Sequence, residues 1–473
     1  MQHTGYFRPH SLAEAQALLV AHPDAQALAG GQSLLAAMKL GLCQPTHWVD
    51  LQDLAELQHI TRHHDHLWIG AMVTHEAVAH SAEVKAWCPL LAHLGSGIAD
   101  AQIRHVGTLG GSLANNDPAA CWPAAVLACG ATVVTTQRKI PADDFFIGLF
   151  TTALQAGELI LGVKFPPITS GHYLKYEQAA SRFALVGLAV TRSAQHTVRV
   201  AVTGLGQGVM RWQAAEEALS AQWSVSALDG LFLADTEAMG DVHASANYRA
   251  HLAAVLCRCA VAHHTGESPT MPRGAKPRAT PSVQTTANTT PPGHTLQGDH
   301  VLKASLLQVW QALLDPAILQ MSIPGCSAMR LLKPNHYQAT VKVGLGPVSA
   351  KFETLVQLHP DIAPTPGSTQ ARCGLDVSGQ AGALGSGQAN VQVQLEQIGP
   401  HTRLHWSAQP QLQGTLAQLG NRLVQASAQR LSEQFFERFA QALSGEAPRG
   451  GAWFFFYALS QPLRRWWQHF FRK

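Results

Sequence analysis

The chain predicts an α+β multidomain protein, and three observations carry that reading. A β–turn–α–β alternation fills the opening segment, and later runs read as long antiparallel strands closed by a single helix. Between these patterns the composition breaks, at 266–293, into Pro, Thr, Ser and Ala with almost no large apolar residue. At 473 residues the chain also exceeds what one hydrophobic core usually supports.

The elements follow in order. Ser11 can cap a helix over 11–21, whose Leu12, Ala15, Leu18 and Leu19 form an apolar stripe. Ala27-Leu28-Ala29 reads as a short buried strand, 33–40 as a helix and 48–51 as another strand, giving a first α/β subdomain over 1–58. In a second subdomain, 59–169, strands are expected at 67–71, 131–135 and 159–163. Helices are expected from Thr74 through Val78, over 88–98 and over 122–129, while 103–107 leads into a glycine-rich segment. Residues 170–265 combine strands at 184–190 and 198–202 with helices at 212–219 and 248–262. A linker, 266–296, is partly extended by its prolines. The module at 297–445 runs strand, helix, several strands and a long helix from about 416 to 443, the outline of a helix-grip fold. A tail, 446–473, completes the chain.

Composition excludes several function classes. A net charge of +3 and the lack of a basic stripe argue against a nucleic-acid partner. The eight cysteines are scattered, the closest pair being Cys257 and Cys259, and no CxxC exists. No metal ligand set is therefore assigned, and any iron–sulfur cluster must sit on another chain. Thr61-Arg62-His63-His64-Asp65-His66 reads as a hairpin loop rather than a metal site, because its spacing does not converge on one ion. Met1–Pro9 is polar and lacks an apolar core, so no signal peptide is expected. No stretch approaches the ~20 apolar residues of a membrane span, and the expected location is cytoplasmic.

Two glycine-rich segments carry the chemistry. The first is Ala29-Gly30-Gly31-Gln32-Ser33-Leu34; the second is Thr108-Leu109-Gly110-Gly111-Ser112-Leu113, continuing to Asp117-Pro118. Glycine permits positive φ and close backbone approach, so each segment can present several N–H groups to one anion. Two such turns suggest a pyrophosphate gripped from both sides, hence a dinucleotide.

These segments resemble a known family. Ala29–Leu34 with Met38-Lys39, and Ile103-Arg104 with Gly107–Ser112 and Asp117-Pro118-Ala119-Ala120, are similar to the FAD motifs of the medium subunit of molybdenum hydroxylases. That family includes the carbon monoxide dehydrogenase and xanthine dehydrogenase type enzymes. Ile69-Gly70-Ala71-Met72-Val73-Thr74-His75, Tyr173–Glu177 and Ala180–Ala184 extend the resemblance over 3–264. It implies a two-subdomain FAD-binding fold of the PCMH type followed by a flavoprotein C-terminal domain. Noncovalent FAD would be held by Ala29, Gly30, Gly31, Gln32, Ser33 and Leu34 on one side and by Thr108, Gly110, Gly111 and Ser112 on the other. Asp117 would contact the cofactor or form an Asx turn before Pro118, and Lys175 and Phe183 would approach the flavin side. Where the family often has a second acid, this chain has Cys121, and a thiol is a poor acceptor for cofactor hydroxyls.

The second module resembles the CoxG component of carbon monoxide dehydrogenase, an SRPBCC-like helix-grip family. The resemblance rests on Val309-Trp310, Ile323-Pro324-Gly325-Cys326, Val341–Val348, Gly379-Gln380-Ala381-Gly382 and Phe435-Phe436. It implies a hydrophobic cavity and a role in membrane recruitment or maturation, with hairpin geometry alone explaining most of its Gly-Pro turns. In the tail, Leu463, Trp466, Trp467, Phe470 and Phe471 share one helical face opposite Arg464, Arg465, Arg472 and Lys473. That pattern suits a helix lying in a membrane interface on the inner face of the cytoplasmic membrane, or one docking on a partner. Together the resemblances imply an oxidoreductase subunit that passes electrons from partner [2Fe–2S] clusters through FAD to an acceptor such as a membrane quinone. The molybdenum cofactor would lie on a large subunit, and no catalytic residue is assigned to this chain. The alternative is an accessory or anchoring protein whose flavin fold serves as a docking module.

Overall fold

The computed structural model describes residues 4–39, 43, 45–234, 238–241, 243–268, 296–345, 348–365, 367–382, 385–413 and 421–444. The expectations for most of the linker and for the 446–473 tail lie outside them.

The first subdomain is a three-stranded parallel sheet, with His47–Asp50 between Gly5–Phe7 and Gln26–Leu28. Ser11 caps the helix Leu12–Ala21 by accepting from the Glu14 N–H, as its sequence position predicts. A second helix, Leu34–Lys39, leaves the first glycine segment. The second subdomain is built on a five-stranded antiparallel sheet in the spatial order Ile60–Arg62, Leu67–Gly70, Ile160–Phe165, Thr132–Thr135, Lys139–Pro141. The histidine-rich stretch is the hairpin between the first two of these strands. Helices Pro89–Ser96 and Trp122–Ala128 bury apolar faces in the same core, where Trp122 is fully enclosed.

Two boundaries differ from the sequence reading. The segment before the second glycine run is a helix, Ala101–Val106, because Asp100 caps it through the Ile103 N–H and Gly107 ends it. Gly110 and Gly111 then lie inside a further short helix, Leu109–Asn115, capped by Thr108, rather than in an open turn. Capping at both Asp100 and Thr108 overrides the low helix propensity of the glycines.

The next sheet runs Ser170–Glu177, Ala184–Arg192, Val198–Thr203, Met210–Arg211, all antiparallel. Its two faces serve different cores. Tyr173, Ala189 and Ala201 pack with Trp122 and the second subdomain, whereas Val186, Leu188, Val190, Val200 and Val202 pack under the helix Ala246–Thr265. Arg249 on that helix is 2% exposed and donates to the carbonyls of Leu185 and Gly204 and to Asp241.

The module after the linker has a seven-stranded antiparallel sheet. Six consecutive strands from Cys326–Lys333 to His401–Gln413 form a meander, and Leu296–Leu302 adds to its far edge beside the last of them. Helix Asn421–Ser444 lies across this sheet, with Phe436 and Phe439 meeting Tyr337, Cys373, Leu395 and Leu404 in the core. Helices Leu306–Leu314 and Pro316–Ser322 close one end, the first fixed by a Ser305–Gln308 capping box. This is the expected helix-grip architecture.

Candidate functional site

The two glycine segments meet. A Cβ on Gly30 would lie 2.3 Å from the Val106 carbonyl oxygen and 2.7 Å from Gly107 Cα, so backbone packs on backbone there. A Cβ on Gly111 would lie 3.4 Å from Ala29 Cβ, on the opposite side of the same contact. Gly31 takes a positive φ of 66°, which the turn out of strand Gln26–Leu28 requires. These are the two conformational reasons for glycine in the first segment.

The two segments differ in what they offer. In the first, no hydrogen bond within the described residues occupies the N–H groups of Gly30, Gly31, Gln32 or Ser33. The Gln32 side chain folds back onto the Gly30 carbonyl at 3.0 Å, and Gln32 and Ser33 are exposed. Leu34 begins the following helix, and Ala29 is half-buried.

In the second segment the backbone is committed to the fold, which corrects the expectation that it turns its amides toward an anion. The Leu109 and Gly110 N–H groups donate to the carbonyls of Val73 and Ala71, at 3.0 and 2.8 Å. Gly111 N–H donates to Thr108 Oγ1 and Ser112 N–H to the Thr108 carbonyl. Gly110 lacks a side chain for a packing reason, since a Cβ there would lie 2.6 Å from Ala71 Cβ. Strand-like residues 71–75 thus act as the platform of the second segment, with a bridge between Thr74 and Thr108 and the His75 N–H donating to Gly107 O. What remains for a ligand is side-chain chemistry, chiefly the half-buried Ser112 hydroxyl.

Asp117 forms an Asx turn: its Oδ1 accepts from the Ala119 N–H at 2.8 Å and its carbonyl from Ala120. Lys175 is 10% exposed at its side chain and donates from Nζ to the Arg182 carbonyl at 2.7 Å, tying down the 178–183 loop. Phe183 on that loop stays 47% exposed. Cys121 is buried and faces Tyr173, whose hydroxyl has no other partner among the described residues. Burial pushes up both the Cys121 thiol and the Tyr173 phenol, so both stay protonated. Cys121 therefore substitutes for no carboxylate.

Sequence reasoning missed the second layer. Trp122 Nε1 donates to His75 Nδ1 at 3.0 Å, both residues being buried. Burial, and then the Arg104 charge, lowers the His75 pKa to about 4, which keeps the ring neutral with its proton on Nε2. A Cβ on Gly107 would come 2.8 Å from that nitrogen. Arg104 pairs with Glu76 at 2.8 Å and also donates to the carbonyls of Ile98 and Ala99. The hydrogen bond from Arg104 holds the Glu76 carboxyl below its usual range. Arg182 donates to the same Ala99 carbonyl, which links the 178–183 loop to the second glycine segment. Thr-His at 74–75 and Ile-Arg at 103–104 were visible as motif residues, but nothing in their spacing disclosed this pairing.

The arrangement has the makings of a phosphate cradle: exposed amides on one wall, hydroxyls on the other, and glycine contacts between. Among the described residues no group of three or more His, Cys, Asp or Glu is arranged to hold a metal ion. A cavity of about 490 Å³ lies elsewhere, on the helix-grip sheet around Leu355, Asp376, Gln388 and Gln411.

Comparison with known proteins agrees with this geometry. The family described as FAD binding domain in molybdopterin dehydrogenase matches residues 2–168. The nicotine 6-hydroxylase medium subunit of Paenarthrobacter nicotinovorans is 35% identical over 266 residues, covering 54% of this chain and 94% of that relative. The chain belongs to the FAD-binding subunits of the molybdenum hydroxylase family. The carbon monoxide dehydrogenase medium chain of Afipia carboxidovorans is also 35% identical, again over 54% of this chain and 94% of its own length. Among solved structures, reconstituted CO dehydrogenase from Oligotropha carboxidovorans superposes with a TM-score of 0.53 at 30% identity, over 56% of this chain and 99% of that one. The carbon monoxide dehydrogenase family CoxG matches residues 298–444. A flavoprotein subunit of the molybdenum hydroxylases and a CoxG domain therefore occupy one chain.

Proposed function

We propose that this chain is the electron-passing subunit of a molybdenum hydroxylase complex and that it holds FAD between its two glycine segments. The observation that carries the reading is the unengaged row of amides at Gly30–Ser33 set against the Gly107–Ser112 wall. Gly30, Gly31, Gln32 and Ser33 would donate to the pyrophosphate; Thr108 and Ser112 would face it, with Gly110 and Gly111 shaping the wall. Asp117 and Lys175 would order the flavin side through the turn and loop that they fix. Bound flavin would supply the redox chemistry, and the chain's task is to hold and orient it. The reading includes a large subunit with the molybdenum cofactor, a small subunit with [2Fe–2S] clusters, and an acceptor beyond them. The aromatic-basic pattern of 446–473 and the fused CoxG domain support an acceptor at the membrane surface, such as a quinone.

Purification with bound FAD near one per chain, reducible by substrate only when the partner subunits are present, is the expected result. A colourless chain with no FAD affinity would overturn the reading. It would favour an accessory module with a retained flavin fold, to which the inward-turned amides of 109–112 and the neutral Cys121 lend specific support. Liposome co-sedimentation with and without 450–473 tests the membrane part, and unchanged sedimentation would end it.

A further inference from the structure

The Gly-Ala-rich turns of the helix-grip module have a feature that hairpin geometry does not explain. Gly382 and Gly385 take positive φ, as a tight turn requires. Ala350 and Ala381, close to the tips of two hairpins, are nevertheless 4% and 7% exposed, where tips ordinarily stand in water. They are covered by Ala37, Cys43 and Trp48 of the first flavin subdomain, in one apolar cluster with Leu28, Leu34, Leu35 and Phe352. Alanines on both sides let the backbones come close. Beside the cluster, Lys342 Nζ lies 3.1 Å from Asp24 Oδ1, with both side chains exposed.

We propose that the helix-grip module docks in cis on the first flavin subdomain through Ala350, Phe352 and Ala381, against Ala37, Cys43 and Trp48. The contacted end of the sheet is the one opposite helices Leu306–Leu314 and Pro316–Ser322, and its partner surface includes the helix Leu34–Lys39 that leaves the first glycine segment. The docked module therefore braces that helix. The exposed Lys342–Asp24 pair contributes little to affinity and reports the register of the contact. The surface stands whether or not the chain binds FAD.

The pair suits a zero-length carbodiimide cross-link between an amine and a carboxylate. In the full chain, peptides containing Asp24 and Lys342 are expected to be joined within the monomer. Asp24→Lys abolishes the link and the swap Asp24→Lys with Lys342→Asp restores it, and neither change touches a core. Ala381→Arg, overpacking the apolar contact, lowers the yield about tenfold or more. Circular dichroism of that variant confirms that it is folded, and Ala37→Arg repeats the test from the other side. A mixture of isotopically light and heavy chains distinguishes copies: mixed-label links would assign the contact to a second copy and overturn docking in cis. Absence of the 24–342 link from the monomer, or yields unchanged by both arginine substitutions, overturns it as well.

Discussion

Trp122 donates its indole N–H to Nδ1 of His75, and the far nitrogen of the same ring faces Gly107. One neutral imidazole thus joins the core of the second subdomain to the wall of the candidate flavin site. Its burial makes that joint sensitive to acid.

The pH dependence has a definite sign. His75 has a folded pKa of about 4, below its ordinary value of 6.5, because burial disfavours the imidazolium. Its contribution is therefore complete above about pH 6.5 and is lost as pH falls from there toward 4, where the unfolded chain takes up a proton that the folded one refuses. Urea unfolding at pH 5 should show about 2 kcal/mol less stability than at pH 7.5 from this group alone. His172, also lowered to about 4, acts in the same direction. His75→Gln should flatten the profile, and an unchanged slope in that variant would remove His75 as its source.

Gly30→Ala places a methyl group against the Val106 carbonyl. Neither backbone can yield without opening the contact between the glycine segments, so a cost of about 1–3 kcal/mol is expected. FAD content after gel filtration should fall by an order of magnitude, while Ala36→Gly, on the exposed side of the next helix, should leave it near that of the parent chain. Equal FAD retention in both would show that the contact does not shape the site.

Arg249 serves two backbone carbonyls and Asp241 from a position with almost no exposure. Arg249→Met leaves all three acceptors short of a donor and should destabilise the C-terminal domain by about 3–5 kcal/mol. Arg249→Lys should recover only part, since one ammonium cannot reproduce the planar fork. Thermal melts of the three proteins decide it; a lysine variant equal to the parent would contradict the account.

Lys175→Met removes the donor that holds the Arg182 carbonyl. The change should cost about 1 kcal/mol locally and show as faster amide exchange confined to 178–183. Exchange that rises across the whole sheet would point to a global defect instead.

Much of this architecture was legible in sequence because its signals are local. Ser11 and Thr74 cap the helices that their positions predict, and the strand runs fall where apolar alternation places them. The ordered series of glycine motifs located the flavin-type fold. The amides of Gly110 and Gly111 were misread for a physical reason: the same two residues suit an open anion turn and a capped helix packed on Ala71. Only the tertiary partners, Ala71 and Val73, decide between them. The burial of Ala381 was equally hidden, since a hairpin tip looks the same in sequence whether or not another surface lies over it.

The sheet that runs from Ser170 to Arg211 has one face in each of two cores, Ala189 and Ala201 looking one way and Leu188, Val190 and Val202 the other. This limits where genes of this kind can recombine. A break near residue 170 would strip the second subdomain of part of its interior and leave the donor half with an uncovered apolar face. A break after Thr265, where the last helix ends at Gly266, severs neither core. Exchange of whole partner domains is permitted at that point, and the arrival of a CoxG domain there is the expected signature of such an event.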